Sequence, residues 1–146
     1  MTFLLDVNVL IVLIDPTRVG YDTAHEWFHE MGAGSWATCP LTENGVIRVV
    51  GHPKYPNSAG STAAVAPFVA RLRALPGHVF WKDDLSLIGS DLVNVDQIKT
   101  PGQVTDTYLL ALAVANKGQL ATLDRRLSTR AVRRGKAALH TIGGGR

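Results

Sequence analysis

Four acidic residues stand at points of the sequence where carboxylates are unusual or can point inward. Asp6 interrupts the first apolar run, and Asp124 follows a later apolar stretch. Glu43 and Asp106 each fall within the first turns of a predicted helix. Carboxylates that lie close together repel one another, so either their pKa values rise or a cation joins them. Because Mg²⁺ and Mn²⁺ prefer carboxylate oxygens, a metal site is the chemistry that these acids could share.

Each of these acids also has a structural explanation. Asp106 could favour the positive end of a helix dipole, an effect of about 0.3 to 1 kcal/mol. Asp124 could be a turn residue, and Glu43 could be a surface acid. Asp6 has the weakest alternative, because an acid between apolar residues of a core strand lacks a structural role of low cost. Asn8 could cap the first helix, hold Asp6 by hydrogen bonding, or do both.

The elements that must position these acids are short strands alternating with helices. The sequence predicts strands over residues 3–5, 35–39, 78–81, 119–123 and 139–142. Helices are predicted over residues 8–14, 22–31, 40–50 and 62–75, in the segment TPGQVTDTYLLALAVANKG, and in a basic stretch before the last strand. This alternation predicts an α/β fold with helices on both faces of a parallel sheet. Residues that end parallel strands meet at one edge, so we expect the four acids to share a cleft there.

Length and composition limit the class of protein. The 146 residues suit one domain, which we expect to span residues 1–142, followed by a frayed tail over 143–146. No apolar run approaches the roughly 18 residues that a membrane span requires. The chain begins without a basic leader or a cleavage site, and Cys39 has no second cysteine to pair with. These features favour the cytoplasm, and Cys39 is expected to be a buried thiol.

Basic residues are concentrated toward the end of the chain. The formal net charge is only +3, but from residue 117 onward eight basic side chains face a single acid, Asp124. This concentration indicates a polyanionic partner, with a solvated basic helix as the alternative. The eight residues are Lys117, Arg125, Arg126, Arg130, Arg133, Arg134, Lys136 and Arg146.

Four motifs surround the acids, and they cover nearly the whole chain. They are LLDVNVLI at the start, PLTENGVIRVV after the second strand, VTDTYLLALA in the late helix and LATLDRRL after the fourth strand. Together they resemble the PIN-domain ribonucleases, and specifically the VapC toxins of type II toxin–antitoxin systems. The resemblance implies a PIN-like three-layer α/β/α sandwich and an endoribonuclease that depends on Mg²⁺ or Mn²⁺. It also implies a homodimer that is silenced by a cognate antitoxin in the active-site groove.

The resemblance assigns roles to particular residues by motif position. The catalytic and metal-binding acids would be Asp6, Glu43, Asp106 and Asp124. One or two ions held mainly by Asp6 and Asp106 would lower the pKa of a water, whose hydroxide attacks phosphorus in line. The side chains expected to support the acids are Asn8, Thr105 and Thr122. RNA would be held along its backbone by basic side chains of the C-terminal region, among them Arg125, Arg126, Arg133 and Arg134.

The chain departs from the family pattern at one place. Asn44-Gly45, directly after Glu43, weakens the predicted helix where family members commonly continue with better helix formers. The position of Glu43 therefore depends on whether this helix continues past Gly45.

Two other functional classes and one candidate interface remain to be weighed. A phosphatase of the haloacid dehalogenase type also ends its first strand with an aspartate, but it requires a second acid where this chain has Asn8. A catalytically silent module could bind RNA or protein through the same fold, although such a module would gain RNA affinity by losing its acids. An apolar patch for a dimer or an antitoxin could come from Trp27, Phe28 and Trp36, with core burial as the alternative.

Overall fold

The structure is a computed structural model that describes residues 1–143, and a five-stranded sheet forms its centre. Every strand pairs in parallel with its neighbours, in the order β3-β2-β1-β4-β5. The predicted parallel sheet is therefore confirmed. Three of the residues assigned to a frayed tail, 144–146, lie outside the described residues. The strands are β1 (Phe3–Leu5), β2 (Trp36–Thr38), β3 (His78–Phe80), β4 (Gln119–Thr122) and β5 (Leu139–Thr141).

Five α-helices connect and cover these strands. They are α1 (Val7–Ile14), α2 (Tyr21–Glu30), α3 (Pro40–Val50), α4 (Thr62–Arg73) and α5 (Gln103–Ala115). Two single 3₁₀ turns, Gly32–Gly34 and Val95–Gln97, interrupt the connections. Within residues 1–143, none of the helices has the length and apolar character that crossing a membrane would require.

The helices form two layers because side chains alternate across the sheet. In β1, Phe3 and Leu5 pack into a core with helices α1 to α4, whereas Leu4 packs on the opposite face with α5. The chain runs from β1 to β2 and β3 in one direction and then continues in β4 and β5 on the other side of β1. Because such crossovers are right-handed, this reversal places α5 on the opposite face. The predicted three-layer α/β/α sandwich is confirmed.

The reversal of strand order creates a crevice between β1 and β4. Open α/β sheets bind ligands in this position, outside the carboxyl ends of the strands. Leu5 pairs with Ala121, and the backbone N–H of Asp6 donates to the Ala121 carbonyl at 3.0 Å. Asp6 and the residues that follow β4 are therefore neighbours at the carboxyl edge.

Helix α3 continues through Asn44-Gly45, and Gly45 is needed for its packing. A Cβ atom at Gly45 would approach Cγ2 of Val7 to 2.7 Å, so only glycine lets α3 lie this close to α1. The start of α3 is stabilised by Thr42, whose hydroxyl accepts from the Cys39 backbone N–H at 3.0 Å. The departure from the family pattern thus serves helix packing, and Glu43 stays in the first turns of a regular helix.

Cys39 is a buried thiol, as the sequence predicts. Its side chain is inaccessible to solvent, and burial raises its pKa to about 11. The thiol is therefore protonated at neutral pH and is not a nucleophile.

Three sequence predictions are wrong. The basic segment between β4 and β5 forms turns rather than a helix, held partly by the bond from the Arg133 N–H to the Leu92 carbonyl at 2.8 Å. The cap of α1 is Asp6, not Asn8, because the helix begins two residues earlier than a cap at Asn8 would place it. The candidate apolar patch is absent from the surface, since its three aromatic residues are buried in the core, namely Trp27, Phe28 and Trp36.

The buried acid Asp15 connects the end of α1 to the loop after α3 by hydrogen bonds. Its carboxylate accepts from the Tyr55 hydroxyl at 2.5 Å, the Asn57 amide at 2.9 Å and both the N–H and the hydroxyl of Thr17. Burial opposes the charge, but these hydrogen bonds outweigh it and lower the pKa of Asp15 to about 2. Asp15 is therefore a fully compensated structural acid.

Candidate active site

Asp6 is the buried acid at the end of β1, and its environment opposes its charge. Its side chain is 5% exposed; Oδ1 accepts from the Val7 N–H at 2.7 Å and Oδ2 from the Thr122 hydroxyl at 2.8 Å. Burial raises its pKa more than these two bonds lower it, and the charge of Asp124 raises it further. Asp15 has four donors and a low pKa, whereas the two donors to Asp6 do not offset the effect of its burial.

Thr122, the last residue of β4, connects Asp6 to its surroundings. Its hydroxyl oxygen accepts from the Asn8 amide and from the Asp124 N–H, each at 3.1 Å. With two donors on this oxygen, the single hydroxyl hydrogen is directed at Asp6. The Asn8 carbonyl oxygen accepts from the Leu123 N–H at 3.1 Å. Among residues 1–143, Asn8 therefore reaches the Asp6 carboxylate through the Thr122 hydroxyl and not by a direct hydrogen bond.

Asp106 and Asp124 complete a group of three aspartates with Asp6. Asp106 is half-buried in the first turns of α5, and burial together with the charges of Asp6 and Asp124 raises its pKa to about 6. Within residues 1–143, no hydrogen bond to the Asp106 carboxylate offsets this repulsion. Asp124 is half-buried after β4, and its Oδ1 also accepts from the Arg126 N–H at 2.8 Å. Asp124 is thus both a turn residue and part of the acidic group.

Glu43 lies apart from this group and has two partners of its own. Its Oε2 accepts from the Thr38 hydroxyl at 2.6 Å, and its Oε1 forms an ion pair with Arg73 Nη1 at 3.3 Å. Glu43 is not among the charges that raise the pKa of Asp6 or Asp106. Its side chain is only 13% exposed, so it is not a surface acid either. The structure brings three of the four acids together and pairs the fourth with an arginine.

The three aspartates suit a hard divalent cation. A positive charge would relieve their mutual repulsion and the cost of burying the Asp6 carboxylate. In the described part of the chain, no three His, Cys, Asp or Glu side chains lie close enough together to hold a metal ion as they stand. Mg²⁺ usually takes one or two carboxylates and keeps several waters, so a pre-formed cage is not required for it.

The remaining predicted site residues differ in how close they lie to the acids. Thr105 is exposed on α5, and no hydrogen bond among residues 1–143 joins its side chain to an acid. Arg125 and Arg126 are exposed directly after Asp124, and Nη2 of Arg125 donates to the Gly143 carbonyl at 3.1 Å. These two arginines lie at the edge of the sheet that carries the aspartates.

Arg134 lies at the opposite edge. It lines a cavity of about 260 Å³ together with Met1, Lys117 and Gln119, which precede or begin β1 and β4. These residues mark the amino ends of the strands. Arg133 is exposed in the same segment. The basic cluster predicted from composition is therefore divided between two edges of the sheet.

The sequence did not indicate three residues around Glu43. Thr38 and Arg73 bond its carboxylate directly, and His78 bonds Thr38. For Thr38 a signal existed, because it ends a strand just before an acid-bearing segment, as Thr122 does. Arg73 and His78 lie 30 residues or more from their partners, so no local pattern connects them.

Comparisons of the sequence with known proteins identify the family of the chain. No family model matches the chain. Three ribonucleases of Mycobacterium tuberculosis are similar to it: VapC44 is 39% identical over 132 residues, or 90% of this chain and 92% of the relative. VapC39 is 38% identical over 88% of this chain and 92% of its own length, and VapC38 is 39% identical over 95% and 96%. With similarity over nearly the full length of both chains, the protein belongs to the VapC ribonuclease family.

Proposed function

We propose that this protein is a divalent-metal-dependent endoribonuclease that hydrolyses RNA phosphodiester bonds as the toxin of a toxin–antitoxin pair. The observation that carries the proposal is the group Asp6, Asp106 and Asp124, in which burial and mutual repulsion raise the pKa of Asp106 to about 6. The ribonuclease names of the relatives support the substrate class. A purely structural role would not place three mutually repelling carboxylates, none with an ion-pair partner among residues 1–143, at a ligand-binding edge.

The roles of individual residues follow from their contacts. Bound Mg²⁺ or Mn²⁺ would neutralise charge on the phosphodiester and lower the pKa of a water. Asp6, Asp106 and Asp124 are the residues that would hold the ion. Thr122 orients the Asp6 carboxylate by its hydrogen bond to Oδ2, and Asn8 holds Thr122 in place.

The proposal includes partners that family membership supports. A cognate antitoxin would occupy the acidic groove, and the protein would act in the cytoplasm as a homodimer. The buried aromatic residues Trp27, Phe28 and Trp36 are not available for either interface, so other surfaces must provide them.

Cleavage of RNA by the purified protein should require a divalent ion. We expect labelled RNA to be cut in the presence of Mg²⁺ or Mn²⁺, to survive when EDTA is added, and to be cut again when the metal is restored, because the aspartates alone cannot neutralise a phosphodiester. Gel analysis of the products measures this directly. Cleavage that persists in EDTA would contradict the metal-dependent mechanism, and RNA binding without cleavage would favour a catalytically silent module.

RNA affinity should depend more on Arg125 and Arg126 than on Arg134. In the non-cleaving Asp6→Asn protein, we expect Arg126→Gln to weaken binding and to reduce the slope of log K against log salt by about 0.7, because one phosphate contact is lost. Fluorescence anisotropy across a salt series measures both quantities. Arg134→Gln serves as the matched control at the opposite edge. A larger effect from Arg134 would place the RNA path across that edge instead.

A further inference from the structure

We propose that Arg73 is a positioning residue for Glu43, acting together with Thr38 and His78. The inference rests on the proposed ribonuclease function and on the VapC resemblance, which assigns Glu43 as the fourth acid of the site. It concerns how Glu43 is held, since Glu43 lies in the first turns of α3 at the same sheet edge as the aspartates but is directed at other partners.

The Glu43 carboxylate is held from two sides by two different elements. Thr38, at the end of β2, donates to Oε2, while Arg73, in the last turn of α4, donates to Oε1. Each oxygen keeps a further lone pair, which can accept from a water or a ligand. The carboxylate plane is therefore fixed while part of its hydrogen-bonding capacity remains available. A carboxylate held in this way can contact a water at the site in one fixed orientation, whereas a carboxylate that moved between partners could not.

His78 is the second hydrogen-bond partner of the Thr38 hydroxyl. The distance from His78 Nε2 to Thr38 Oγ1 is 2.7 Å. A carboxylate only accepts, so the Thr38 hydrogen must point to Glu43, and His78 must donate from Nε2 to the Thr38 oxygen. The imidazole is itself held by an edge-on contact with the Trp36 ring at 4.7 Å. The resulting chain of donors runs from His78 through Thr38 to Glu43.

Arg73 is also held in place, although its side chain is 44% exposed. Its guanidinium lies over the Phe80 ring at 5.2 Å, which fixes the approach to Glu43 from the β3 side. The positive charge of Arg73 compensates the negative charge of Glu43. Removing Arg73 would release one side of the carboxylate and leave the largely buried Glu43 charge without its ion-pair partner.

The test is a double-mutant cycle on cleavage rate. We expect Arg73→Gln to lower kcat by about 10-fold with little change in KM for RNA, and Arg73→Lys to restore part of the loss. In a Glu43→Gln background, Arg73→Gln should cause no further loss, because there is no carboxylate left to position. Arg71→Gln is the matched control, since Arg71 lies on the same helix turn but contacts Phe68 and should leave the rate unchanged.

A second cycle uses folding stability and does not depend on catalysis. Unfolding of the four proteins in denaturant without metal should show a favourable coupling between Arg73 and Glu43.

Thr38→Val should lower kcat in the same way as Arg73→Gln, whereas Thr38→Ser, which keeps the hydroxyl, should not.

Distinct results would overturn the inference. Arg73→Gln would lower kcat by the same factor with and without the Glu43 carboxylate if Arg73 did not position Glu43. It would raise KM for RNA and flatten the salt dependence if Arg73 contacted RNA instead. Absence of coupling in the unfolding cycle would show that the ion pair does not hold Glu43. Wild-type protein in the same assay separates the two proposals, because absence of any divalent-dependent cleavage there would contradict the ribonuclease function itself.

Discussion

Replacement of Asp6 by asparagine is expected to reduce RNA cleavage by about two to four orders of magnitude while the protein stays folded. The substitution keeps the size of the side chain and removes the charge that would hold the cation between β1 and β4. An asparagine oxygen can still accept from the Val7 N–H, so the start of α1 keeps its cap. Single-turnover cleavage of a labelled RNA measures the loss.

Two controls show that this loss reflects chemistry and not misfolding. Circular dichroism and the thermal midpoint should show Asp6→Asn to be folded at the assay temperature. Asp22→Asn, which removes an exposed acid from α2, should cleave RNA at the wild-type rate. Cleavage by folded Asp6→Asn within a few-fold of wild type would disprove the assigned role and point to a contaminating nuclease or to another site.

Replacement of Asp106 by asparagine is expected to stabilise the metal-free protein and to abolish cleavage. Burial and the charges of Asp6 and Asp124 oppose the Asp106 carboxylate in the folded state and raise its pKa to about 6. Removing the charge removes that cost, which we place at about 1 kcal/mol because Asp106 is half-exposed and water screens part of the repulsion. For a chain of this size the thermal midpoint should rise by about 3 °C at pH 7.5 in EDTA.

The pH dependence of stability provides the check on this explanation. The pKa of Asp106 is higher in the folded state than the ordinary value of 3.8, so the folded protein binds more protons between about pH 4 and pH 6. Wild-type stability should therefore rise, relative to Asp106→Asn, as the pH falls through this range. The hydrogen bonds to Asp15, whose pKa is about 2, are lost only at lower pH and do not interfere.

Metal binding should make wild type more stable than Asp106→Asn, which reverses the order of stability expected in EDTA. Mg²⁺ or Mn²⁺ should raise the thermal midpoint of wild type and have much less effect on Asp106→Asn, because the ion stabilises only the folded state that binds it. Differential scanning fluorimetry with and without metal measures both shifts. A variant less stable than wild type in EDTA at pH 7.5, or equal stabilisation of both proteins by metal, would contradict the assignment of Asp106.

Local patterns were sufficient to predict the strands and helices of this protein, because apolar periodicity and chain breakers act within a few residues of one another. Pro40–Val50 was predicted with the observed bounds, and Phe3–Leu5 likewise. The basic segment before β5 was the exception. Its charge suggested a helix, but it forms successive turns, and the Arg133 N–H binds the carbonyl of Leu92 in another segment, which composition does not show.

The sequence by itself determined the order of the strands and helices, and it placed an acid directly after β1, within α3, within α5 and after β4, since these depend on residues adjacent in the chain. Only the tertiary structure decided which acids meet. Strand order and register bring Asp6 beside Thr122 and Asp124, whereas the packing of α4 directs Arg73 at Glu43. The physical reason is distance: hydrogen bonds and charge repulsion act over a few ångströms, and residues far apart in the chain come that close only after the sheet and helices have packed.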